Sequence, residues 1–435
     1  MRSIPSLLFA LLAIAVPAFA HGQSSNIPPM KVQEQRVEVA AHTLTMAYDP
    51  DTGLFRGTGW WNSANGISVL SRVSQDLHTH AFDSRFRNTF VAAQRKNSNF
   101  LNDYYDDEGW WALAWLDVYD LRGGGRYLRM SESIFANMTG GWSDACGGGI
   151  WWSKQEHYKN AIANELFLSV AVRLAEATKG PARVGYLEWA EREERWFVNS
   201  GMINPQGLVN DGLDDSCHNN QKTTWTYNQG VILEGLSGLS RLTGDKAAMQ
   251  LANHIAQAVS ARLVDAQGIL HDPCEPNCGE DGVQFKGILI RNLATLDRAS
   301  PTPQIVALVQ TNAASVWSRA RTVDGQFSVD WSGPPRDSGT GSLISALDAL
   351  TAPLSLRESS LGAGDASTFI PGKDAPNLAP QSFLRCHLPS ADWRLLSPRF
   401  APSSPDVYCG IPISFSSCSR IFCLDSICSS LRRAS

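Results

Sequence analysis

Two adjacent carboxylates, Asp106 and Asp107, stand at the head of a helical pattern in Asn102-Asp103-Tyr104-Tyr105-Asp106-Asp107-Glu108-Gly109-Trp110-Trp111-Ala112-Leu113-Ala114-Trp115. A helix start accepts acids readily, because a side-chain oxygen satisfies a free backbone N–H and the helix dipole favours negative charge there. Capping uses one carboxylate, however. Asp103 and Glu108 add further charge beside the pair, and Tyr104, Tyr105, Trp110 and Trp111 surround it with rings. Like charges next to apolar surface keep one acid protonated while its neighbour ionises. Such a pair suits acid/base work on a sugar, whose apolar face stacks on aromatic rings. Two readings stay open at this point: a capped and charged first turn, or an acid pair for chemistry.

Other loops carry groups of the same kind. Gly59-Trp60-Trp61-Asn62 and Gly149-Ile150-Trp151-Trp152-Ser153 place tryptophan pairs among polar residues rather than in apolar runs. Asn160, Asn164 and Glu165 open one helical stretch, and Trp225-Thr226-Tyr227-Asn228 opens another. Trp110, Trp111 and Trp152 are candidate sugar platforms, with core packing as the alternative. Asn160, Asp211, Tyr227 and Asn228 are candidate hydroxyl partners, with loop and cap bonding as the alternative. Lys286 is a candidate cation at a helix start; its alternative is an ion pair at the edge of the core. The acidic loop 208–215 lacks the full spacing of a calcium loop. Cys146-Gly147-Gly148-Gly149 follows no strand pattern and lacks the lysine of a phosphate loop. His271, Cys274 and Cys278 match no strong zinc spacing. No metal and no cofactor is therefore expected.

The elements that would position these groups are helical. Apolar spacing predicts helices near 60–75, 84–95, 107–121, 126–138, 158–177, 184–200, 225–242, 245–263, 283–297, 303–319 and 339–351. In 158–177, Ala161, Ile162, Leu166, Val170, Leu174 and Ala175 keep one face apolar. Helix–turn–helix junctions recur about every sixty residues, which reads as a repeat of helical hairpins. A closed ring is preferred to an open solenoid, because no polar capping repeat is present. Residues 21–58 read as a polar leader with an extended stretch, Val37 to Met46, and a turn at Pro50-Asp51-Thr52-Gly53.

Residues 1–20 read as a secretory signal, with Arg2, an apolar run from Leu7 to Val16, and Ala18-Phe19-Ala20 at the cleavage point. No segment reads as an integral membrane span. A net charge of −5 over 435 residues excludes the footprint of a nucleic-acid binder. Nine cysteines in an oxidising compartment imply disulfides. Cys146–Cys217 and Cys274–Cys278 are the pairs expected in the helical domain, 59–352. Asn137-Met138-Thr139 is a glycosylation sequon. Residues 353–435 lose all periodicity and read as a disordered or atypical tail.

The segments Trp60-Trp61-Asn62-Ser63-Ala64-Asn65, Tyr105 to Trp115, Cys146 to Trp152, Lys159 to Phe167, Trp225 to Gly230 and Phe285 to Ile288 together resemble glycoside hydrolase family 76 in its fungal secreted form. They occur in the family's order across roughly residues 58–350. The resemblance implies an all-α (α/α)6 barrel and a retaining endo-α-1,6-mannanase acting on α-1,6-mannan or mannooligosaccharides. It also implies that Asp106 is the nucleophile and Asp107 the acid/base. Adjacent side chains reach the carboxyl separation of a retaining enzyme, about 5–5.5 Å, more easily than the about 6.5–9.5 Å of an inverting one. A cell-wall transglycosidase and a non-catalytic mannan-binding protein are the alternatives. The expected location is extracellular or in the cell wall. Eleven predicted helices leave a ring of six hairpins one short.

Overall fold

A computed structural model describes residues 28–336 and 338–356. The signal 1–20 and residues 357–435 of the expected tail lie outside the described residues, whereas residues 353–355, expected in that tail, are helical. Twelve helices of ten or more residues are present among those described. They are α1 Met30–Ala47, α2 Trp60–Asp76, α3 Asp83–Ala92, α4 Tyr105–Arg122, α5 Gly125–Thr139, α6 Ala161–Ala177, α7 Gly180–Asn199, α8 Thr226–Thr243, α9 Lys246–Arg262, α10 Phe285–Ala299, α11 Pro303–Arg319 and α12 Thr340–Ser355. A single turn, Gly279–Gly282, precedes α10.

The even-numbered helices form the inner layer. Each packs on the next, and α12 packs back on α2, which closes the ring. Inner helices such as α6 are apolar on nearly every face, as a helix covered on all sides must be. Small residues let their backbones approach. A Cβ on Gly287 of α10 would stand 2.5 Å from Ser345 Cα of α12, and one on Gly230 of α8 would stand 2.7 Å from Leu289 Cα of α10. Arginines tie the layer together. Arg173 of α6 pairs with Asp117 and Asp120 of α4 at 3.0 and 2.9 Å and with Glu234 of α8 at 2.8 Å. Arg291 of α10 reaches Asp348 of α12 at 3.2 Å and also donates to Asn65 of α2.

The (α/α)6 architecture is thus as expected, and all eleven predicted helices are present. The leader 21–58 is a correction. Its residues 30–47 form α1, the twelfth helix, where an extended stretch was expected. Val37, Ala40, Ala41 and Leu44 recur at three- and four-residue steps and are completely buried. This stripe lies against α12, and Gln33 Nε2 donates to Leu350 O at 2.5 Å. Two-residue strands, Tyr48–Asp49 and Leu54–Phe55, pair antiparallel around the predicted turn. Both expected disulfides, Cys146–Cys217 and Cys274–Cys278, are formed. The sequon residue Asn137 lies in the last turn of α5, half-buried, with its Oδ1 covered.

Candidate active site

An outer helix returns the chain between successive inner ones, so the inner helices run parallel and begin at one end of the barrel. Their N-termini present free N–H groups and positive dipole ends there, a setting that favours carboxylates. Long loops converge on this end, and buried amide side chains hold them by imitating a strand partner. Asn164 Oδ1 accepts the Ile150 N–H at 2.7 Å, and its Nδ2 donates to Ile150 O at 3.1 Å. Gln229 does the same for Val209, at 2.7 and 2.8 Å. The Cys146–Cys217 disulfide joins the two loops so held.

Asp106 and Asp107 occupy the first turn of α4, and neither is its cap; Tyr104 holds that position. Asp106 Oδ2 accepts the Trp152 indole N–H at 3.0 Å, and Oδ1 accepts the Asp107 backbone N–H at 3.1 Å. Asp107 Oδ2 accepts Asn102 Nδ2 at 2.5 Å, and no hydrogen bond to Oδ1 is found among the described residues. Burial pushes both acids well above the usual carboxylate range. The charge of Asp107 raises Asp106 further. For Asp107 the Asn102 amide works against burial, and Asp281 adds to it. The pair therefore titrates as a unit and holds one proton between its two steps. Deeper burial and the Asp107 charge favour that proton on Asp106, and the two donated N–H groups lessen this preference without reversing it.

Rings frame the pair. Trp61 is half-buried, stacks on Trp110 with centroids 5.5 Å apart, and donates its indole N–H to Asp281 Oδ1 at 2.7 Å. Tyr227 is half-buried and stacks on Phe285 at 3.8 Å. Burial, then the charges of Asp106, Asp211, Glu165 and Asp281, hold its hydroxyl well above the usual tyrosine range, so it stays protonated and able to donate. Trp152 packs on Tyr104, and Tyr158 donates its hydroxyl to Asp211 Oδ2 at 2.5 Å. Asp106, Asp107, Trp152, Asp211 and Tyr227 thus surround one mouth, with Trp110 buried behind Trp61.

Four other predicted site residues do not line it. Trp111 is a correction: it is fully buried, packed against Trp60, Phe100 and Trp115. Lys286 is another. Its ammonium is buried against Glu275, donates to Val329 O at 2.7 Å and lies over the Trp331 ring, so the ion-pair alternative holds. Asn160 caps α6 by accepting the Ala163 N–H, which leaves the capping alternative standing. Asn228 is buried, and neither amide atom has a hydrogen-bond partner among the described residues. His271, Glu275 and Asp330 are the one set close enough to share a metal ion among the described residues. Glu275 already takes Lys286 and His271, so the lysine cation stands where a metal charge would.

Sequence reasoning missed Asn102, Tyr158 and Phe285 as parts of the site, and noted Glu165 without giving it a role. Glu165 is fully buried, both oxygens lack hydrogen bonds among the described residues, and burial followed by the Asp211 charge raises it strongly. An acid inside the apolar helix α6 was its signal. Asn102 had a weaker one, an amide in the lead-in to α4.

A family model for glycosyl hydrolase family 76 matches residues 32–362. The chain belongs to glycosyl hydrolase family 76. It is a glycoside hydrolase of that family by the extent of the match. Among curated relatives, the mannan endo-1,6-alpha-mannosidase DFG5 of Saccharomyces cerevisiae is 28% identical over 70% of this chain and 72% of its own. DCW1 of the same yeast, which carries the same enzyme name, is 26% identical over 70% of this chain and 74% of its own. Among solved structures, an inactive variant of the α-1,6-mannanase GH76A of Salegentibacter sp. HEL1_6, with α-1,6-mannotetrose, has a TM-score of 0.67. It is 22% identical over 74% of this chain and 98% of that one. Dfg5 from Chaetomium thermophilum, in complex with glucosamine, has a TM-score of 0.69 at 19% identity, over 77% of this chain and 92% of that one. These two likenesses are of fold.

Proposed function

We propose that this family 76 protein is a secreted, retaining endo-α-1,6-mannanase with Asp106 as nucleophile and Asp107 as acid/base. The observation that carries the reading is the unequal bonding of the pair. Both oxygens of Asp106 accept N–H groups, which stabilises its carboxylate when the pair's shared proton passes to Asp107. Asp107 keeps Oδ1 open, which suits a proton held toward a leaving oxygen. Asp106 attacks the anomeric carbon as Asp107 gives its proton to the departing glycosidic oxygen, leaving a glycosyl ester on Asp106. Asp107, now a carboxylate, takes a proton from water. That water attacks the same carbon and frees Asp106. Trp61 backed by Trp110, and Tyr227 backed by Phe285, offer ring faces for mannose units.

Further support comes from the names of the yeast relatives and from the Salegentibacter enzyme, inactive when two adjacent aspartates are replaced. A secreted or cell-wall location rests on the signal pattern of residues 1–20. No described helix is long and apolar enough to cross a membrane. The test is product release from linear α-1,6-mannan by wild type, Asp106→Asn and Asp107→Asn, matched for folding. Short mannooligosaccharides of retained configuration are expected from wild type, with a loss of about a hundredfold or more in each variant. Longer products on adding a sugar acceptor would redefine the activity as transglycosylation. A folded wild type that releases nothing would overturn the reading.

A further inference from the structure

Asn102 lies outside α4 and is held from four directions. Its Oδ1 accepts the Tyr104 N–H at 3.0 Å, so its Nδ2 must face Asp107, where it donates at 2.5 Å. Its backbone N–H donates to Glu108 Oε1 at 3.3 Å, and its C=O accepts Lys154 Nζ at 2.6 Å. Lys154 Nζ also donates to Glu108 Oε1 at 2.6 Å. Glu108 is fully buried, while Lys154 is 30% exposed at the side chain. Burying a carboxylate is costly, and an apolar residue would pack the same space without that cost. The ion pair therefore has a use beyond packing, and what it grips is the backbone of Asn102 on both sides.

The same loop serves both acids. Trp152 donates directly to Asp106, and Lys154, two residues on, reaches Asp107 through Asn102. The Lys154 N–H donates to Asp103 O at 2.8 Å, which ties this loop to the lead-in of α4.

We infer that Asn102 is a positioning residue for Asp107, and that the Glu108–Lys154 pair holds Asn102 in register with it. This rests on the reading of Asp107 as acid/base. Asp281 faces Asp107 with negative charge and Lys96 with positive charge; Asp106 and Glu108 are the titratable acids beside it, each pushed up by burial and by the charge of Asp107. Against that background the Asn102 amide supplies the direct donor. It favours the ionised form of Asp107, which the second half of the reaction requires.

The experiment is the pH profile of kcat/KM on α-1,6-mannan for wild type, Asn102→Leu, Lys154→Met and Lys154→Arg, each checked for folding. Loss of the donor raises the proton affinity of Asp107. The alkaline limb, which the pair sets together, is expected to move up by about one pH unit in Asn102→Leu, with kcat falling more than KM rises. Lys154→Met should shift the same limb in the same direction by less, and Lys154→Arg should restore it. Should Asn102→Leu fail to fold, the partly exposed Lys154 pair carries the test. An unmoved limb in folded Asn102→Leu, or in folded Lys154→Met if the first is lost, would overturn the inference while leaving Asp107 its role. A wild type inert on mannan would overturn the acid/base reading and this inference with it.

Discussion

Asp106 and Asp107 are chemically identical and one residue apart, so their environments must divide the work between them. The Trp152 indole is the side-chain donor that distinguishes Asp106. A hydrogen bond to a charged group is worth about 1.5–3 kcal/mol. Trp152→Phe keeps the ring and removes the N–H. It should lower kcat roughly tenfold or more and move the titration of the pair in kcat/KM to higher pH, because Asp106 then holds its proton more tightly. Steady-state kinetics from pH 4 to 8 would check both effects. The acid pair was legible in the sequence as a surplus of charge at a helix start. The split between Trp110 and Trp111 was not. Adjacent helical residues point about 100° apart, and both of these are buried, so periodicity could not say which one backs the cleft.

At the scale of elements, eleven helices were legible because each carries an apolar face of its own. α1 was not. Half of its apolar stripe is alanine, a weak signal next to Leu- or Trp-rich helices. Its partner α12 is some three hundred residues away, and no local pattern reports that contact. The burial makes α1 part of the barrel in energetic terms. Leu44→Ala should cost about 2–5 kcal/mol, measured by chemical denaturation. Met46→Ala, at a side chain 68% exposed, should change stability by less than about 0.5 kcal/mol. Equal effects at the two positions would mean that α1 is not docked.

For the whole molecule, the barrel supplies a rigid frame and the loops supply the walls of the cleft. The two disulfides contribute differently. Cys146–Cys217 spans 71 residues and joins the loop of Trp152 to the loop of Asp211. Cys274–Cys278 spans 4. Cross-links stabilise mainly by restricting the unfolded chain, and longer loops gain more. Replacing the first pair by alanines should lower the melting temperature more than replacing the second. It should also reduce mannan hydrolysis at temperatures where the barrel is still folded, since the freed loops carry the rings and acids of the mouth. Calorimetry alongside an activity assay would separate the two effects.

The seam where α12 meets α1 and α2 bears on synthesis at the ribosome. Every other joint in the ring links helices that are made one after another. This one must wait until residues 340–355 have left the exit tunnel, while α1 has been outside since the start. A chain stalled before that point holds an N-terminal helix whose apolar stripe has nothing to cover it. Such chains should be the species that chaperones bind and proteases remove, and the ring becomes whole only as its last helix arrives.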